Sequence, residues 1–392
     1  MNGPLEGLRI LDLTRLLPGG YATLLMADLG ADVVKVEEPD RGDYIRWMPP
    51  AAGDFSTGHI ALNRNKRSLT LNLKSERGRE LLLDLCERFD VLVESFRPGV
   101  MDRLGVGYEA LSERCPRLVY CAISGYGQTG PRAGTAGHDI NYIGYAGALA
   151  MTGEPGGPPV VPGVQIGDLG GGAMAAVISI LAALHRRTET GRGTFCDVSM
   201  ADGVLSWLSI HIGARLASDG PTERGAMPLS GAFPCYRVYR AADGYVTVGA
   251  LEPQFWNALC TTLGRDDLIE DGYSTGERGA EVIAELDSLF ETRTRAEWMD
   301  VFRDVDACVG PVNELGEALA DGGFRARDMI WSSEVRGAGE WTQLGNPIRL
   351  RDAPGETARR PPPALGEHTE EVLAETGLDA RAVEALRTDG VV

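Results

Sequence analysis

The sequence contains little of several residue types on which common functions depend. Histidine occurs five times in 392 residues, at positions 59, 138, 185, 211 and 368. The seven cysteines are odd in number and irregularly spaced, with no CxxC pair, which argues against a disulfide framework or a zinc site. A net basic surface is also lacking, because the formal charge is −18. We therefore expect neither nucleic acid nor an anionic membrane as a partner.

Long hydrophobic runs are absent too. The longest apolar stretch, Met174–Leu184, has 11 residues and contains Ser179, so it is too short to cross a bilayer. The first residues, MNGPLEGLRI, lack the basic start and apolar core of a signal peptide. Composition is that of an ordinary globular protein, without low-complexity tracts or internal repeats. With free thiols that suit a reducing compartment, the sequence predicts a cytoplasmic protein.

Strand and helix patterns alternate over the first 125 residues. Short apolar runs rich in β-branched residues predict buried strands, namely LRILDL (8–13), DVVKVE (32–37), SLTLNL (68–73), VLVESF (91–96) and LVYCAIS (118–124). Helical periods separate them, as in RGRELLLDLCERF (77–89). This order predicts an α/β fold with a parallel sheet covered by helices on both faces. Such sheets bind ligands at the carboxyl ends of their strands.

Length and composition predict more than one domain. Residues 1–200 form most of a large domain, with a loop-rich stretch over 125–167, and a linker helix follows over 201–224. From 225 to 325, two alternating strands around a turn that ends in Asp243-Gly244, followed by short helices, predict a smaller α+β domain. Residues 326–392 are polar and rich in loops, with two short amphipathic helices near the end.

A G-x-G-x-x-G pattern, GYGQTG at 125–130, follows a predicted strand. However, Pro131 and Gly134 come next and no helix opens there. Without a helix N-terminus a pyrophosphate has no binding groups, so the pattern indicates a glycine loop rather than a dinucleotide site.

Two residues have the chemistry for proton transfer. His138, in AGHDINY, lies after a strand end, and histidine is a residue type suited to general acid–base catalysis; the alternative is a loop histidine that only hydrogen-bonds the backbone. Asp168 opens the run DLGGG before a long apolar helix, and the alternative there is an N-cap aspartate. Three glycines are not needed for a cap and cost helix propensity, but they admit an anion or a bulky ligand.

Four further candidates have ordinary structural alternatives. Glu252 precedes Pro253, where an acid in the first helical turn is favoured by the helix dipole. Tyr236 starts the hairpin and is by default a sheet residue. Lys74 and Arg103 are cations after a strand and in a loop, where solvated surface residues are common.

Long stretches of the chain, in order, resemble the family III CoA-transferase superfamily (CaiB/BaiF type) over nearly its whole length. They are MADLGADVVKVE, NRNKRSLTLNLKSERG, ESFRPGVMDRLGVGYE, SGYGQTGP, the Asp168 glycine turn, ADGYVTVGA and LGEHTEEVL. Within that superfamily, AGHDINY, ALEPQFW and VDACVGPV are most similar to the α-methylacyl-CoA racemase branch. The resemblance implies a Rossmann-like large domain built from both chain ends, to which residues 326–392 return, and an interlocked homodimer.

The resemblance also implies roles for single residues. His138 and Asp168 match the two catalytic bases of the racemases, and Glu252 matches the acid that supports the histidine. Tyr236 matches a tyrosine near the thioester, and Glu252 and Tyr236 would reach the His138–Asp168 pair across the subunit interface. The residues expected to bind CoA are Lys74, Arg103, Leu104 and Gly137. Two departures from the family pattern are Val164, where racemases carry Asn, and Glu38, where a basic residue is common.

The resemblance implies epimerisation at C2 of 2-methylacyl-CoA thioesters, a reaction of lipid metabolism. Neutral His138 removes the α-proton, and protonated Asp168 returns a proton on the other face. The N–H groups of Leu169 and Gly170 are the expected donors to the enolate oxygen. No metal and no cofactor beyond the CoA moiety of the substrate is expected.

Two alternatives stay open. A CoA transferase would use Asp168 as a nucleophile and form an aspartyl-CoA thioester, with no need for a histidine. A non-enzymatic acyl-CoA-binding protein would keep Lys74 and Arg103 but would not need paired bases.

Overall fold

The computed structural model describes residues 3–217, 223–227, 229–353, 355 and 359–392. The chain divides into two compact units. Their segments are Met1–Ala146, Gly163–Trp207 and Gly322–Val392 in the first unit, and Gly147–Pro162 and Leu208–Asp321 in the second.

The observed division differs from the expected boundaries in two places. Residues 147–162, expected in the large domain, group with the second unit. The expected linker helix over 201–224 is two helices, Met200–Trp207 and Ser209–Ala217, and residues 218–222 lie outside the described residues. The first of these helices packs in the large unit, because Met200, Ala201 and Val204 are buried there.

The strands of the described residues, in chain order, are β1 (Arg9–Leu13), β2 (Asp32–Glu37), β3 (Ala51–Ala52), β4 (Phe55–Ser56), β5 (Lys66–Thr70), β6 (Val91–Glu94), β7 (Val119–Ser124), β8 (Phe195–Ser199), β9 (Tyr236–Ala241), β10 (Gly244–Gly249), β11 (Val309–Pro311), β12 (Ile330–Val335) and β13 (Gly339–Leu344).

The α-helices of the same residues are α1 (Leu16–Asp28), α2 (Thr57–Asn63), α3 (Glu76–Cys86), α4 (Val100–Arg103), α5 (Tyr108–Arg114), α6 (Asp139–Ala146), α7 (Ala148–Met151), α8 (Ala175–Thr190), α9 (Met200–Trp207), α10 (Ser209–Ala217), α11 (Pro253–Leu263), α12 (Gly276–Phe290), α13 (Arg295–Val301), α14 (Leu315–Ala320), α15 (Gly322–Ala326), α16 (Thr369–Ala374) and α17 (Ala380–Thr388). A π-helical segment, Gly167–Met174, precedes α8, and 3-10 helices span Tyr44–Arg46 and Asp266–Asp271.

The first unit is built on a six-stranded parallel sheet in the order β5-β2-β1-β6-β7-β8. Alternate strand residues face two cores: Leu11 and Val34 pack with α3, α5, α16 and α17, whereas Ile10 and Val33 pack with α1 and α8. The prediction of a parallel sheet with helices on both faces is confirmed. The direction of strand addition reverses between β1 and β6, and α/β sheets bind ligands at such a switch point.

Buried charges explain why one strand begins earlier than expected. The prediction placed it at 68–73, but β5 starts at Lys66. Lys66 is fully buried, and its Nζ lies 3.1 Å from Oδ2 of Asp12. A buried charge is tolerated only with such a partner. Because Asp12 is not near Lys66 in the sequence, the sequence alone does not identify this lysine as a core residue.

The helix that follows the glycine run is longer than the apolar stretch in the sequence. The π-helical segment and α8 form one continuous helix, Gly167–Thr190, which is long enough to cross a membrane and has a mean hydropathy of 1.6 over an 18-residue stretch. A core helix of a folded domain passes the same test. Here Ala173, Ala176 and Ile180 are buried in the core that contains Ile10 and Val33.

The second unit contains a three-stranded antiparallel sheet in the order β11-β10-β9. The predicted hairpin of β9 and β10 is confirmed, with Gly244 paired to Ala241. Tyr239, Trp256 and Phe290 lie in its core. The sequence did not indicate β11, which has only three residues, or the β12–β13 hairpin in the C-terminal region of the first unit.

Candidate active site

A cavity of about 1120 Å³ opens at the carboxyl ends of the parallel strands in the first unit. Its wall includes residues that follow β1, β2, β5, β6 and β7, which places it across the switch point of the sheet. The sequence-predicted site residues in its wall are Lys74, Leu104, Gly137, His138 and Asp168. Both candidate proton-transfer groups therefore face one cavity.

His138 lies at the end of the loop after β7 and directly before α6. The expected loop over 125–167 thus contains helices, and glycines in the sequence concealed them. The backbone N–H of His138 donates to Oδ1 of Asn141 at 3.0 Å, and its carbonyl accepts from the Asn141 N–H at 2.8 Å. These bonds fix the first turn. The imidazole is exposed and makes no hydrogen bond with the described residues, so it is free to meet a ligand.

Asp168 is the second residue of the π-helical segment and is not an N-cap. Ile166, before the segment, already has helical torsions, with φ −64° and ψ −43°. The interpretation of Asp168 as an N-cap is therefore wrong, because the helical turn starts earlier than the apolar run. Short π-helical turns within α-helices occur frequently at functional sites.

Asp139 holds the start of that segment, a role that the sequence analysis missed. Its Oδ1 accepts the backbone N–H of Asp168 at 3.0 Å. A Cβ on Gly167 would lie 3.1 Å from the same oxygen, so this close approach favours glycine there. An acid directly after the histidine of a candidate motif was the available signal.

The environment of Asp168 changes its proton affinity. Burial, reinforced by the nearby charge of Asp139, raises the pKa of Asp168 to about 7. At neutral pH this carboxyl group therefore exists in both protonation states. Perturbed groups of this kind in a cavity are candidates for proton transfer.

Tyr142 supports the loop between β7 and α6. Its buried hydroxyl donates to the carbonyl of Gly137. Burial, with the charge of Asp168 as the next cause, raises the pKa of Tyr142 to about 12. A Cβ on Gly125 or Gly137 would lie 2.4 Å or 2.8 Å from the ring, so both glycines leave space for it.

The glycines after Asp168 have a packing role. A Cβ on Gly170 would lie 1.8 Å from the ring of Trp207, and one on Gly171 would lie 2.4 Å from the carbonyl oxygen of Met200. The glycine run thus lets α9 approach the π-helical segment closely. The N–H of Leu169 already donates to the carbonyl of Gln165 at 2.9 Å. A bare helix start with a free Leu169 N–H was expected and is not found.

Several cations surround the cavity. Lys74 lines it with an exposed side chain, whereas Arg103 is exposed on α4 outside the cavity wall. Arg15 and Arg97, which the sequence analysis missed, line the wall after β1 and β6. Each stands directly after, or two residues after, a predicted strand, and that position was the available signal. Within the described part of the chain, no three His, Cys, Asp or Glu side chains are grouped to share a metal ion.

Tyr236 and Glu252 belong to the second unit. Tyr236 opens β9 and is partly buried. Glu252 is the N-cap residue of α11 rather than part of its first turn, and its exposed side chain makes no capping hydrogen bond. Their action on the His138–Asp168 pair stays a prediction.

The two residues that depart from the family pattern, Val164 and Glu38, lie in different surroundings. Val164 is 62% exposed in the segment before the π-helical turn. Glu38 lines the cavity.

Comparison with known proteins gives consistent results over nearly the full chain. The model of CoA-transferase family III matches residues 5–369. The chain is 35% identical to human succinyl-CoA:glutarate CoA-transferase over 396 residues, which cover 99% of this chain and 90% of that protein. It is also 35% identical to human alpha-methylacyl-CoA racemase over 391 residues, covering 99% and 97%.

A solved structure of a CaiB/BaiF family protein from Brucella suis matches with a TM-score of 0.82 and 34% identity. The match covers 96% of this chain and 100% of that one. Since the family model spans most of the sequence and the fold agrees, this chain belongs to CoA-transferase family III.

Proposed function

We propose that this protein epimerises C2 of 2-methylacyl-CoA thioesters by moving the α-proton from one face to the other. One observation carries the proposal: a free imidazole, His138, and a carboxyl group with a pKa near 7, Asp168, line the same cavity. An epimerase needs two groups in opposite proton states, one to accept and one to donate. Histidine is a residue type that serves as acid or base in catalysis, and the raised pKa of Asp168 gives that carboxyl group both proton states.

The proposed reaction has two proton transfers. Neutral His138 takes the proton from Cα, and the electron pair of the C–H bond moves into the thioester to form an enolate. Protonated Asp168 then donates its proton to the opposite face of Cα. The product has inverted configuration, with His138 protonated and Asp168 ionised, and the reverse reaction restores the starting state. The N–H groups of Leu169 and Gly170 were the expected donors to the enolate oxygen. Because the Leu169 N–H already donates to Gln165, only the Gly170 N–H is still proposed as a donor.

We also propose a homodimer in which Glu252 and Tyr236 of one copy complete the site of the other. Glu252 would accept a hydrogen bond from His138 and raise its basicity. Lys74 would bind the phosphates of CoA. The reaction would need no further cofactor and would take place in the cytoplasm. Similarity to human alpha-methylacyl-CoA racemase, at 35% identity, supports this reading of the site.

CoA transfer between carboxylic acids is the second candidate function. It has support because this chain is as similar to a CoA-transferase as it is to a racemase. The human succinyl-CoA:glutarate CoA-transferase is also 35% identical to this chain. In that reaction ionised Asp168 would attack the thioester carbonyl, release CoA as a thiolate and form a mixed anhydride. The thiolate would then attack the aspartyl carbonyl of the anhydride, expel the first carboxylate and leave aspartyl-CoA. The carboxylate of the second acid would attack this thioester, and the released thiolate would attack the acyl carbonyl of the new anhydride, which gives the new acyl-CoA and restores ionised Asp168. A pKa near 7 leaves much of Asp168 ionised at neutrality, as this reaction requires.

Incubation of one enantiomer of 2-methylbutanoyl-CoA in D2O tests the proposal. We expect the wild type to incorporate deuterium at Cα and to lose optical purity. His138→Ala and Asp168→Ala should both keep the starting configuration. The same mixtures with added free carboxylic acid test the alternative. CoA transfer to that acid that survives His138→Ala and disappears in Asp168→Ala, without epimerisation by the wild type, would overturn the proposal.

A further inference from the structure

We infer that Arg15 binds a carboxylate on the acyl group, so that the substrates are CoA thioesters of branched dicarboxylic acids. This inference rests on the proposed function and narrows its substrate class. It depends on the loop that carries Arg15, on the surroundings of the guanidinium and on the cavity that Arg15 shares with Asp168.

The loop after β1 is held at consecutive backbone positions. Nζ of Lys35 donates to the carbonyl of Thr14 at 2.9 Å, and the N–H of Arg15 donates to Oγ of Ser95 at 2.9 Å. Both contacts precede the first turn of α1. They fix the peptide group that precedes the Arg15 Cα atom.

Leu16 adds a third restraint. Its N–H donates to Oδ1 of Asp43 at 3.1 Å, and Asp43 is paired with buried Lys35 at 2.9 Å. Leu16 has a φ of 62°, which is uncommon and strained for a residue with a side chain. A strained backbone held by a buried ion pair is a frequent feature of binding sites, because it fixes a side chain in place.

Among the residues that the structure describes, the guanidinium of Arg15 has no acidic partner. It lies 5.2 Å from the ring centre of Tyr44 and 5.3 Å from that of Phe96, and both rings line the cavity. Its one described side-chain hydrogen bond is weak, from Nη1 to the Tyr44 hydroxyl at 3.4 Å. An arginine has five N–H donors in a planar fork that matches a carboxylate. The two rings orient this fork and leave most of its donors available.

A carboxylate suits this position better than a phosphate of CoA. Glu38 and Asp40 also line the cavity after β2, the neighbour of β1 in the sheet. A multiply charged phosphate beside Arg15 would be repelled by these acids more strongly than a single carboxylate would. Lys74 and Arg97 offer other cations in the same wall for the phosphates.

The helix that follows Arg15, α1, packs against the helix that carries Asp168. The loop leads into α1, and a Cβ on Gly172 would lie 3.3 Å from Cβ of Pro18. Pro18 follows Arg15 by three positions, so their Cα atoms are at most about 11 Å apart. A short acyl chain that places its Cα beside Asp168 would extend toward this arginine.

Two substrates that differ only in the distal group test the inference. Methylsuccinyl-CoA and 2-methylbutanoyl-CoA share the branched C2, but the first ends in a carboxylate and the second in a methyl group. We expect Arg15→Gln to lower kcat/KM for methylsuccinyl-CoA by roughly 10- to 100-fold, the loss of a hydrogen bond to a charged group, with little change for 2-methylbutanoyl-CoA. The comparison variant, Lys74→Gln, should lower kcat/KM for both substrates by the same factor. Equal losses for both substrates in Arg15→Gln would assign this residue to CoA and overturn the inference.

Equilibrium binding separates this inference from the proposed function. Calorimetry with succinyl-CoA and butanoyl-CoA requires no proton transfer at Cα. Tighter binding of succinyl-CoA by the wild type, lost in Arg15→Gln of unchanged melting temperature, would support the role of Arg15 even if no epimerisation occurs. Epimerisation without any preference for the dicarboxylic substrate would refute the role of Arg15 and leave the proposed function intact.

Discussion

At Asp168, burial and a neighbouring carboxylate act in the same direction on one proton. Burial is the larger cause and Asp139 the second, and together they raise the pKa of Asp168 to about 7. Asp139 also accepts the Asp168 N–H, so a single side chain both positions the carboxyl group and adjusts its charge. Under the proposed function, this arrangement keeps a proton on Asp168 when the substrate binds.

The isosteric change Asp139→Asn isolates the charge from the hydrogen bond. The amide oxygen can still accept the Asp168 N–H, but the negative charge is gone, so the pKa of Asp168 should fall. Asp168 must be protonated to donate, and in that direction the rate declines as pH rises through its pKa. We expect this decline to move to lower pH in the variant, measured as kcat/KM against pH for each enantiomer.

Glu109→Gln provides the matched control for that profile. Glu109 is an exposed acid on α5 outside the cavity wall, so its removal should leave the profile unchanged. An unchanged profile in Asp139→Asn as well would show that the Asp139 charge does not influence Asp168.

The sequence could identify some site residues and not others. His138 and Asp168 stand out because histidine is scarce and because a glycine run after an acid is unusual. The local signals at Asp139 and Arg15 are weaker, namely an acid directly after a candidate histidine and a cation two residues after a predicted strand. Their importance depends on a hydrogen bond across 29 residues and on two aromatic rings brought together by the sheet.

The π-helical segment and α9 form the closest helix contact near the site. Gly171 faces the carbonyl of Met200, and the Cα of Gly171 would lie 2.6 Å from a Cβ on Gly203. Glycines on both helices therefore allow the backbones to meet. This contact fixes the segment that carries Asp168, and the glycine run reflects it.

Gly171→Ala should separate these helices. The added methyl group would lie 2.4 Å from the backbone oxygen of Met200, which cannot rotate away. We expect the free energy of unfolding to fall by about 1–3 kcal/mol, the usual effect of overpacking, with a loss of activity.

Gly163→Ala is the control for this substitution. A Cβ at Gly163 meets no atom within 4 Å, so the free energy of unfolding should change by less than about 0.5 kcal/mol. Urea unfolding of both variants measures the difference. Equal stabilities would contradict the packing role of the glycine run.

Elements with regular apolar patterns were predictable, and those fixed by distant partners were not. β2 has the predicted bounds because Val33, Val34 and Val36 are all buried. β5 begins earlier than predicted because buried Lys66 forms an ion pair with Asp12 in the core. α6 was missed because its start is fixed by Asn141 and its neighbours include several glycines.

For the whole molecule, the sequence indicated two units but misplaced two boundaries. Residues 147–162 carry no composition that marks the change, because loops in both units are rich in glycine and proline. The expected dimer, with Glu252 acting on His138 of another copy, stays a prediction and has a direct test.

Co-expression of His138→Ala with Glu252→Ala tests this arrangement. Each variant alone should be inactive or nearly so. If one copy supplies Glu252 to the His138 of the other, a mixed dimer contains one intact site and one with both changes. Random mixing should then restore about a quarter of wild-type activity, as a two-fold symmetric dimer requires. Activity that stays at the level of the single variants would contradict a shared site.

The central claim is that His138 and Asp168 act on opposite faces of the same carbon. The most direct measurement follows exchange of the α-hydrogen with D2O for each enantiomer of 2-methylbutanoyl-CoA, in His138→Asn and in Asp168→Asn. We expect each variant to exchange the hydrogen of one enantiomer, a different one in each case, with no change of configuration. Exchange of the same enantiomer by both variants, or of both enantiomers by either, would contradict the two-base account.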